Sequence, residues 1–159
     1  LHAIRARSPP KLRDDVLLAA ARAQLVQDLV RPALARGEIV ISDRSLFSSL
    51  AYQGYGLGQD VELVKRVNLE AVEGLLPDLT FFLEVEAGVG LARQATRRGL
   101  DRIEQRDEGF FQRVVEGYWQ LARDYDFVRL DGTLPVEVVH EQILTILAKG
   151  KLREEQEDE

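Results

Sequence analysis

Apolar residues recur every three or four positions along several long segments, the spacing that places them on one face of an α-helix. In the first segment Pro32 interrupts the pattern and Gly37 ends it, so we expect a helix that is kinked or divided near its end. Asp60 precedes the second segment and is a typical N-cap. The pattern predicts five helices: Lys11–Arg36, Val61–Leu75, Ala87–Arg98, Glu108–Arg123 and Pro135–Lys149.

Three short apolar runs are typical of buried strands: Glu38–Ser42, Asp78–Val85 and Phe127–Leu130. Strands that alternate with helices imply crossover connections, so the sequence predicts one α/β domain over residues 1–150, with a parallel sheet covered on both faces. Three strands would leave a hydrophobic sheet edge exposed, and the chain begins at Leu1 and contains no methionine. We therefore expect further strands to precede it. Residues 151–159 are expected to form a charged, solvated tail.

Composition narrows the classes of function. The chain has 159 residues, 45% hydrophobic and 30% charged, which disfavours a disordered or fibrous protein. A net charge of -6 argues against a broad nucleic-acid-binding surface, and no apolar run approaches the roughly 20 residues of a membrane helix. The absence of cysteine excludes disulfides, thiolate metal sites and a cysteine nucleophile. We expect neither a nucleic acid nor a membrane as partner.

The strongest candidate chemistry follows the first predicted strand. Asp43 and Arg44 would lie at its carboxyl end, where ligands of parallel sheets bind. Hydroxyl and amide side chains follow within ten residues: Ser48, Ser49, Tyr52 and Gln53. An arginine can bind phosphate through two parallel hydrogen bonds, while hydroxyls and amides can bind the edge of a base. The segment therefore suits a mononucleotide, although a strand-end Asp–Arg pair is as often a structural ion pair.

Three other features have a structural interpretation beside a functional one. The arginines between Arg93 and Arg106 are typical of a solvated helix face, and Asp131–Thr133 is typical of an ordinary turn. Several aromatic residues fall within strand and helix patterns, so we expect them in the core: Phe81, Phe82, Phe110, Phe111 and Trp119.

The run IVISDR at 39–44, followed by SSLAYQGYG at 48–56, resembles the bacterial thymidylate kinase family. So do RAQLVQDLVRPALARGEIVISDR at 22–44, LDRIEQ at 100–105, FFQRV at 110–114 and EGY at 116–118, in register from Ser8 to Ala148. The resemblance implies the three-layer α/β/α fold of P-loop nucleoside monophosphate kinases, with a lid at about 93–106. It also implies a cytoplasmic, homodimeric transferase of dTTP biosynthesis. Such an enzyme uses ATP and Mg²⁺ to convert thymidine monophosphate (dTMP) to dTDP, with release of ADP.

The resemblance further implies roles for individual residues. Arg22 would contact thymine, Arg44 would bind the acceptor phosphate and act in catalysis, and Asp43 would lie at the magnesium site. The expected dTMP contacts are Leu18, Arg22, Arg44, Ser48, Ser49, Tyr52, Gln53 and Tyr118. The expected ATP contacts are Arg97, Arg98 and Arg102 of the lid, which would act in catalysis, and the adenine loop Asp131, Gly132 and Thr133.

The chain departs from the family pattern at three points. Leu18 stands where the family has a phenylalanine that stacks on thymine, and Ala21 stands where it has an aspartate. Leucine gives up stacking worth about 1–3 kcal/mol per base. The sequence also contains no G-x-x-x-x-G-K-[ST] phosphate loop, which in the family precedes the segments seen here. We therefore expect these residues alone to be inactive. The alternative is a catalytically silent, kinase-like module for nucleotide binding or dimerisation.

Overall fold

The structure, a computed structural model, describes residues 10–85 and 108–157. The predicted helix Ala87–Arg98 and the expected lid at 93–106 lie outside these residues. The described α-helices are α1 (Pro10–Leu25), α2 (Arg31–Ala35), α3 (Leu46–Ser49), α4 (Val61–Ala71), α5 (Glu108–Asp124) and α6 (Val136–Glu157). Two wider π-helical segments, Val26–Val30 and Leu50–Gly56, follow α1 and α3 directly.

The first predicted helix changes its hydrogen-bond pattern just before Pro32. The Arg31 N–H bonds to the Val26 carbonyl five residues earlier, so a widened turn lies immediately before Pro32. Pro32 lies in the first turn of α2, directly after the widened turn. Gly37 has φ of 74° and ends the segment in the left-handed region. The predicted end at Gly37 is confirmed, whereas before Pro32 the helix widens into a π-helical segment and does not break.

The second π-helical segment is packed closely against α5. A Cβ atom built on Gly56 would lie 2.6 Å from Val114 Cγ2 and 2.7 Å from Phe110 Cε2, so only glycine fits there. The Arg113 guanidinium also donates to the Gly56 carbonyl, from Nε at 3.2 Å and from Nη2 at 3.1 Å. These contacts fix the end of a segment that carries Tyr52 and Gln53.

Helix α4 begins as predicted. Asp60 Oδ1 accepts hydrogen bonds from the backbone N–H groups of Glu62 (3.0 Å) and Leu63 (3.2 Å), which confirms the N-cap. The helix ends at Ala71, earlier than the predicted Leu75, and Gly74 adopts a φ of 71° in the turn that follows.

Two parallel strands pair in the described part of the chain. They are β1 (Phe81–Glu84) and β2 (Val128–Asp131), and Phe82 lies opposite Arg129. The Arg129 Nε–H also donates to Glu84 Oε1 at 2.6 Å. Two of the three predicted strands are therefore present, each with slightly different bounds, and their parallel pairing confirms the α/β class.

The predicted strand Glu38–Ser42 is wrong: this segment is neither strand nor helix. The side chains of Ile39 and Ile41 are 79% and 92% exposed. A strand needs a neighbour for its backbone N–H and C=O groups, and in the described residues β1 and β2 pair only with each other. Asp43 and Arg44 thus follow an irregular segment rather than a sheet strand.

The core lies between α3, α4, α5 and the two strands. Its largest fully buried side chains are Leu46, Leu50, Leu121, Val72 and Asn68. Phe110 is buried and Phe81, Phe82 and Phe111 are partly buried, but Trp119 is 52% exposed. The expectation that Trp119 belongs to the core is wrong, because α5 turns its neighbours Tyr118 and Leu121 inward instead.

The last helix is longer than predicted. It begins at Val136, directly after Pro135, and continues to Glu157, so most of the expected tail at 151–159 is helical. The charged sequence there does not oppose a helix, because lysine, arginine, glutamate and glutamine all have high helix propensity. Among the described residues, we found no helix with both the length and the apolar character needed to cross a membrane.

Candidate functional site: a polar surface around two arginines

The Arg22 side chain joins three elements. It extends from α1 and is partly buried. Its Nη1 donates to Asn68 Oδ1 on α4, and its Nη2 donates to Ser49 Oγ (3.1 Å) and to the Ser45 carbonyl (3.3 Å) at the start of α3. Burial lowers the pKa of the Arg22 guanidinium, but arginine remains a cation in proteins at neutral pH. A charged donor is thus held at the junction of α1, α3 and α4.

Asn68 is not among the site residues predicted from the sequence, although the apolar pattern of its helix singles it out. In α4 it lies one turn after Val64 and one turn before Val72, both buried, so it interrupts the apolar stripe of the helix. Its side chain is 1% exposed, and its Nδ2 donates to the Val64 carbonyl at 2.8 Å. A polar residue in an apolar stripe needs a buried partner, which here is Arg22.

Tyr118 and Ser48 form the next part of the site. Their hydroxyl groups share a hydrogen bond of 2.8 Å between α5 and α3. The Tyr118 ring stacks on Phe82 of β1, with 5.5 Å between ring centroids, and meets the edge of Tyr52 at 6.4 Å. Burial raises the pKa of Tyr118 and outweighs the opposite effect of the Ser48 hydrogen bond, so its phenol is neutral at physiological pH.

Arg44 lies at the exposed side of the same group. Its guanidinium carbon is 5.3 Å from the centroid of the Tyr52 ring, and its Nη2 is 3.5 Å from the Tyr52 hydroxyl. Partial burial lowers the pKa of Arg44, but its interactions with Tyr52, Tyr118 and Asp43 outweigh that effect and raise it. The backbone of Arg44 has φ of 68°, a left-handed conformation that is uncommon for a residue with a side chain. The result is an exposed cation held over an aromatic face, which suits an anionic ligand.

The side-chain oxygen of Gln53 lacks a hydrogen-bond donor in the described part of the chain. Its Oε1 is buried and has no hydrogen-bond partner among the described residues. A buried amide oxygen without a partner costs about 1–3 kcal/mol. A donor on a bound ligand would remove that cost.

Leu18 lies one turn before Arg22 on α1, and its side chain is 46% exposed. Residues four apart share a helix face, so an apolar surface adjoins the guanidinium. Ala21 is exposed as well.

The structure brings together most of the residues expected to bind dTMP. Arg22 contacts Ser49, the adjacent Ser48 contacts Tyr118, and Tyr118 meets Tyr52, which meets Arg44. Because Ser48 and Ser49 are neighbours on α3, these contacts form one continuous series. We call these six residues the acceptor group: Arg22, Arg44, Ser48, Ser49, Tyr52 and Tyr118.

The remaining expected site residues lie apart from this series or outside the described chain. Thr133 donates from N (2.8 Å) and Oγ1 (2.6 Å) to Asp131 Oδ1, and the Gly132 N–H donates to the Glu84 carbonyl at 2.9 Å, so Asp131–Thr133 is a turn at the sheet edge. Arg97, Arg98 and Arg102 lie outside the described residues. Asp43 is exposed, and over 10–85 and 108–157 no group of three or more metal-binding side chains occurs.

Comparison with known proteins decides the family. The family model described as thymidylate kinase matches residues 7–143. The chain belongs to the thymidylate kinase family. A thymidylate kinase from Trichodesmium erythraeum is 47% identical over 133 residues, which are 83% of this chain and 59% of that protein. One from Coprothermobacter proteolyticus is 44% identical over 128 residues, which are 80% of this chain and 66% of that protein.

A third thymidylate kinase, from an Exiguobacterium species, is 43% identical over 131 residues, 81% of this chain and 62% of that protein. The chain therefore spans between 59% and 66% of the length of these three relatives. Thymidylate kinases are transferases of dTTP biosynthesis with the α/β fold of P-loop nucleoside monophosphate kinases, and they use ATP as phosphate donor, generally with Mg²⁺. The parallel pairing of β1 and β2 agrees with that fold.

Proposed function

We propose that this chain carries the dTMP-binding part of a cytoplasmic thymidylate kinase, which transfers the γ-phosphoryl group of ATP to dTMP and releases dTDP and ADP. The observation that carries this proposal is the continuous acceptor group, with one arginine at each end. A nucleoside monophosphate has the matching layout, with hydrogen-bonding base edges at one end and a dianion at the other.

The two arginines differ in a way that supports different roles. Arg22 is partly buried and bonded to neutral oxygens, which suits a base carbonyl group. Arg44 is exposed and has one long hydrogen bond of 3.5 Å to Tyr52, so its guanidinium can turn to a phosphate with little loss. We therefore assign thymine to Arg22, Ser48, Ser49 and Gln53, and the phosphate to Arg44. Tyr52, Tyr118 and Leu18 would flank the nucleoside between them.

We propose that residues outside the acceptor group bind ATP, the phosphate donor. Arg97, Arg98 and Arg102 would close over the triphosphate and stabilise the charge that develops on the γ-phosphoryl oxygens. Asp131, Gly132 and Thr133 would support the adenine. Asp43 could supply one carboxylate oxygen to Mg²⁺, which suits that ion because it commonly binds one or two carboxylates together with water and phosphate oxygens. When bound, the ion would neutralise charge on the phosphates.

Catalysis also needs a phosphate-binding segment that these 159 residues do not contain. No G-x-x-x-x-G-K-[ST] motif occurs between Leu1 and Glu159. The backbone N–H groups and the lysine of that loop hold the phosphates in line with the acceptor oxygen, and arginines act only on a phosphate already in place. We propose that the chain assayed alone is inactive. Reading the coding sequence upstream of Leu1 for the motif tests whether the protein supplies it.

A coupled assay of ADP release tests the proposed function. The full-length protein is incubated with ATP and Mg²⁺, with dTMP as acceptor and with AMP or CMP as matched alternatives. We expect ADP release that depends on dTMP and is much slower with AMP. Release that is equal with every acceptor, or absent with dTMP, would contradict the proposal and would favour a silent binding module.

Replacing Gln53 with alanine should weaken the choice among bases while sparing turnover at saturating dTMP. The buried Oε1 has no protein partner in the described residues, so a base N–H is its expected donor. Loss of that bond should raise KM for dTMP about tenfold, as for one neutral hydrogen bond, and leave kcat within about twofold.

Steady-state kinetics with dTMP and dCMP check this prediction. The exposed Gln27, in the π-helical segment Val26–Val30, offers a matched control, since Gln27→Ala removes the same chemical group elsewhere. A fall in kcat of about tenfold or more at saturating dTMP, or no change in base preference, would show that Gln53 does not bind the base.

We also propose that the protein is a homodimer. From the apolar residues in its sequence, the segment Val61–Leu76 is the expected interface, because it carries more apolar side chains than one flank of a small sheet needs. In the structure, however, its Val64 and Val72 are buried within the core. More exposed apolar side chains lie on α1 and on the π-helical segment Val26–Val30 that follows it. There Leu17 and Leu29 are 61% and 62% exposed. Exposed apolar surface of this kind is typical of subunit interfaces.

Light scattering at micromolar concentration should give twice the mass of one chain. Changing Leu17 and Leu29 together to lysine should lower the mass to that of a monomer, whereas Val136→Lys on α6, which is 79% exposed, should not. A wild-type protein with the mass of a single chain would refute the dimer.

A further inference from the structure

Asn68 is held in a single orientation by its two hydrogen bonds. Its Oδ1 accepts from Arg22, and its Nδ2 donates to the Val64 carbonyl. A guanidinium has only donors and a carbonyl has only lone pairs, so the side-chain amide cannot be reversed without losing both bonds. With its side chain 1% exposed, Asn68 is shielded from bulk solvent, so losing either bond would leave a buried polar group unpaired.

Asn68 restrains one nitrogen of Arg22 while the start of α3 restrains the other. Nη1 is bonded to Asn68, and Nη2 is bonded to Ser45 and Ser49. A planar group tied at both terminal nitrogens cannot rotate freely about its long side chain. These bonds use three of the five guanidinium N–H donors, and the other two have no partner among the described residues and can serve a ligand.

We propose that Asn68 is a positioning residue that sets the base preference of the site by fixing the plane of the Arg22 guanidinium. This inference rests on the proposed function, in which Arg22 contacts the base. A fixed donor favours a base that presents a carbonyl oxygen, such as thymine, over cytosine, which presents an amino group at the same ring position. Asn68 itself does not contact the ligand.

Calorimetric titration of the full-length protein with dTMP and dCMP tests this inference. Asn68→Ala should reduce the ratio of dTMP to dCMP affinity about tenfold, as expected when one hydrogen-bonded restraint on a charged group is lost. Asn68→Asp keeps the acceptor for Arg22 but loses the donor to the Val64 carbonyl, so it should retain more of the ratio than Asn68→Ala and less than the wild-type protein. Val64→Ala is the matched control: it lies one turn away, is also buried, and should lower Tm while leaving the ratio unchanged.

A double-substitution cycle gives a readout that a purely structural role would not move. In an Arg22→Ala background, Asn68→Ala should cause no further change in the affinity ratio, since its effect passes through Arg22. Asn68→Leu, which keeps the volume of the side chain, serves if Asn68→Ala fails to fold. It should show the same reduced ratio.

The outcomes separate this inference from the proposed function. If the wild-type protein prefers dTMP and Asn68→Ala or Asn68→Leu keeps the full preference, Asn68 is only a structural residue and the inference is overturned. If the wild-type protein has no preference for dTMP over dCMP, the assignment of the base to Arg22 fails, and the inference fails with it.

Discussion

Replacement of Arg44 with alanine should lower kcat/KM for dTMP at least about 100-fold, the loss expected when a dianionic phosphate is left without a charge-assisted partner. Arg44 is exposed, and its guanidinium lies over the Tyr52 ring with one 3.5 Å hydrogen bond to the hydroxyl. It can therefore transfer its donors to a ligand without breaking a tight protein contact. Steady-state kinetics of the full-length protein, with dTMP varied at saturating ATP and Mg²⁺, measure the effect.

Two control variants separate charge from backbone effects. Because Arg44 has φ of 68°, alanine there is strained by about 1 kcal/mol, whereas glycine is not. Arg44→Gly should thus be as inactive as Arg44→Ala but more stable to heat. Arg36→Ala removes an exposed arginine that pairs with Glu38 at 2.6 Å outside the site, and should leave kcat/KM unchanged. If Arg36→Ala and Arg44→Ala reduced activity equally, the phosphate assignment would be wrong.

Substitution of Phe47 with alanine should lower the free energy of unfolding by about 3–5 kcal/mol, as for other buried phenylalanines. Its side chain is 5% exposed, and its ring meets the edges of Tyr125 and Phe127 at centroid distances of 4.8 and 4.7 Å. The same helix carries Ser48 and Ser49. A cavity at Phe47 should therefore loosen the acceptor group as well as the core.

Urea denaturation followed by circular dichroism measures that loss. Trp119→Ala is the matched control, because Trp119 is also a large aromatic residue but is 52% exposed on α5. This substitution should lower the free energy of unfolding by about 1 kcal/mol or less, because removing an exposed side chain leaves no cavity in the core. Equal losses for the two variants would mean that Phe47 does not anchor α3 to the core.

Local sequence patterns predicted the helical part of the fold well. The N-cap at Asp60 and the end of the first helix at Gly37 depend on nearest neighbours along the chain, and both are present. At Pro32 the expected disruption takes the form of a π-helical segment just before the proline. The parallel pairing of β1 and β2 also followed from the alternation of elements. The prediction of a strand at 38–42 was wrong, because β structure requires a partner strand and a local pattern does not supply one.

The site was predictable to the extent that it depends on residue type and order. The hydroxyls of Ser48 and Ser49, the aromatic Tyr52 and the cation Arg44 follow one another closely, and the structure joins them in one group. The pairing of Arg22 with Asn68, 46 positions apart, depends on how α1 crosses α4. The spacing of apolar residues in α4 shows that Asn68 is a polar residue within an apolar stripe, but it does not indicate which residue is its hydrogen-bond partner.

Calorimetric titration with dTMP and with thymidine, which lacks the phosphate, tests the central claim most directly. The two ligands share a base and sugar, so the difference in their affinities isolates the phosphate contact. We expect full-length wild-type protein to bind dTMP at least about 100-fold more tightly than thymidine, and Arg44→Ala to remove most of that difference while thymidine affinity stays unchanged. Equal binding of the two ligands by the wild-type protein, or an undiminished difference in Arg44→Ala, would contradict the account.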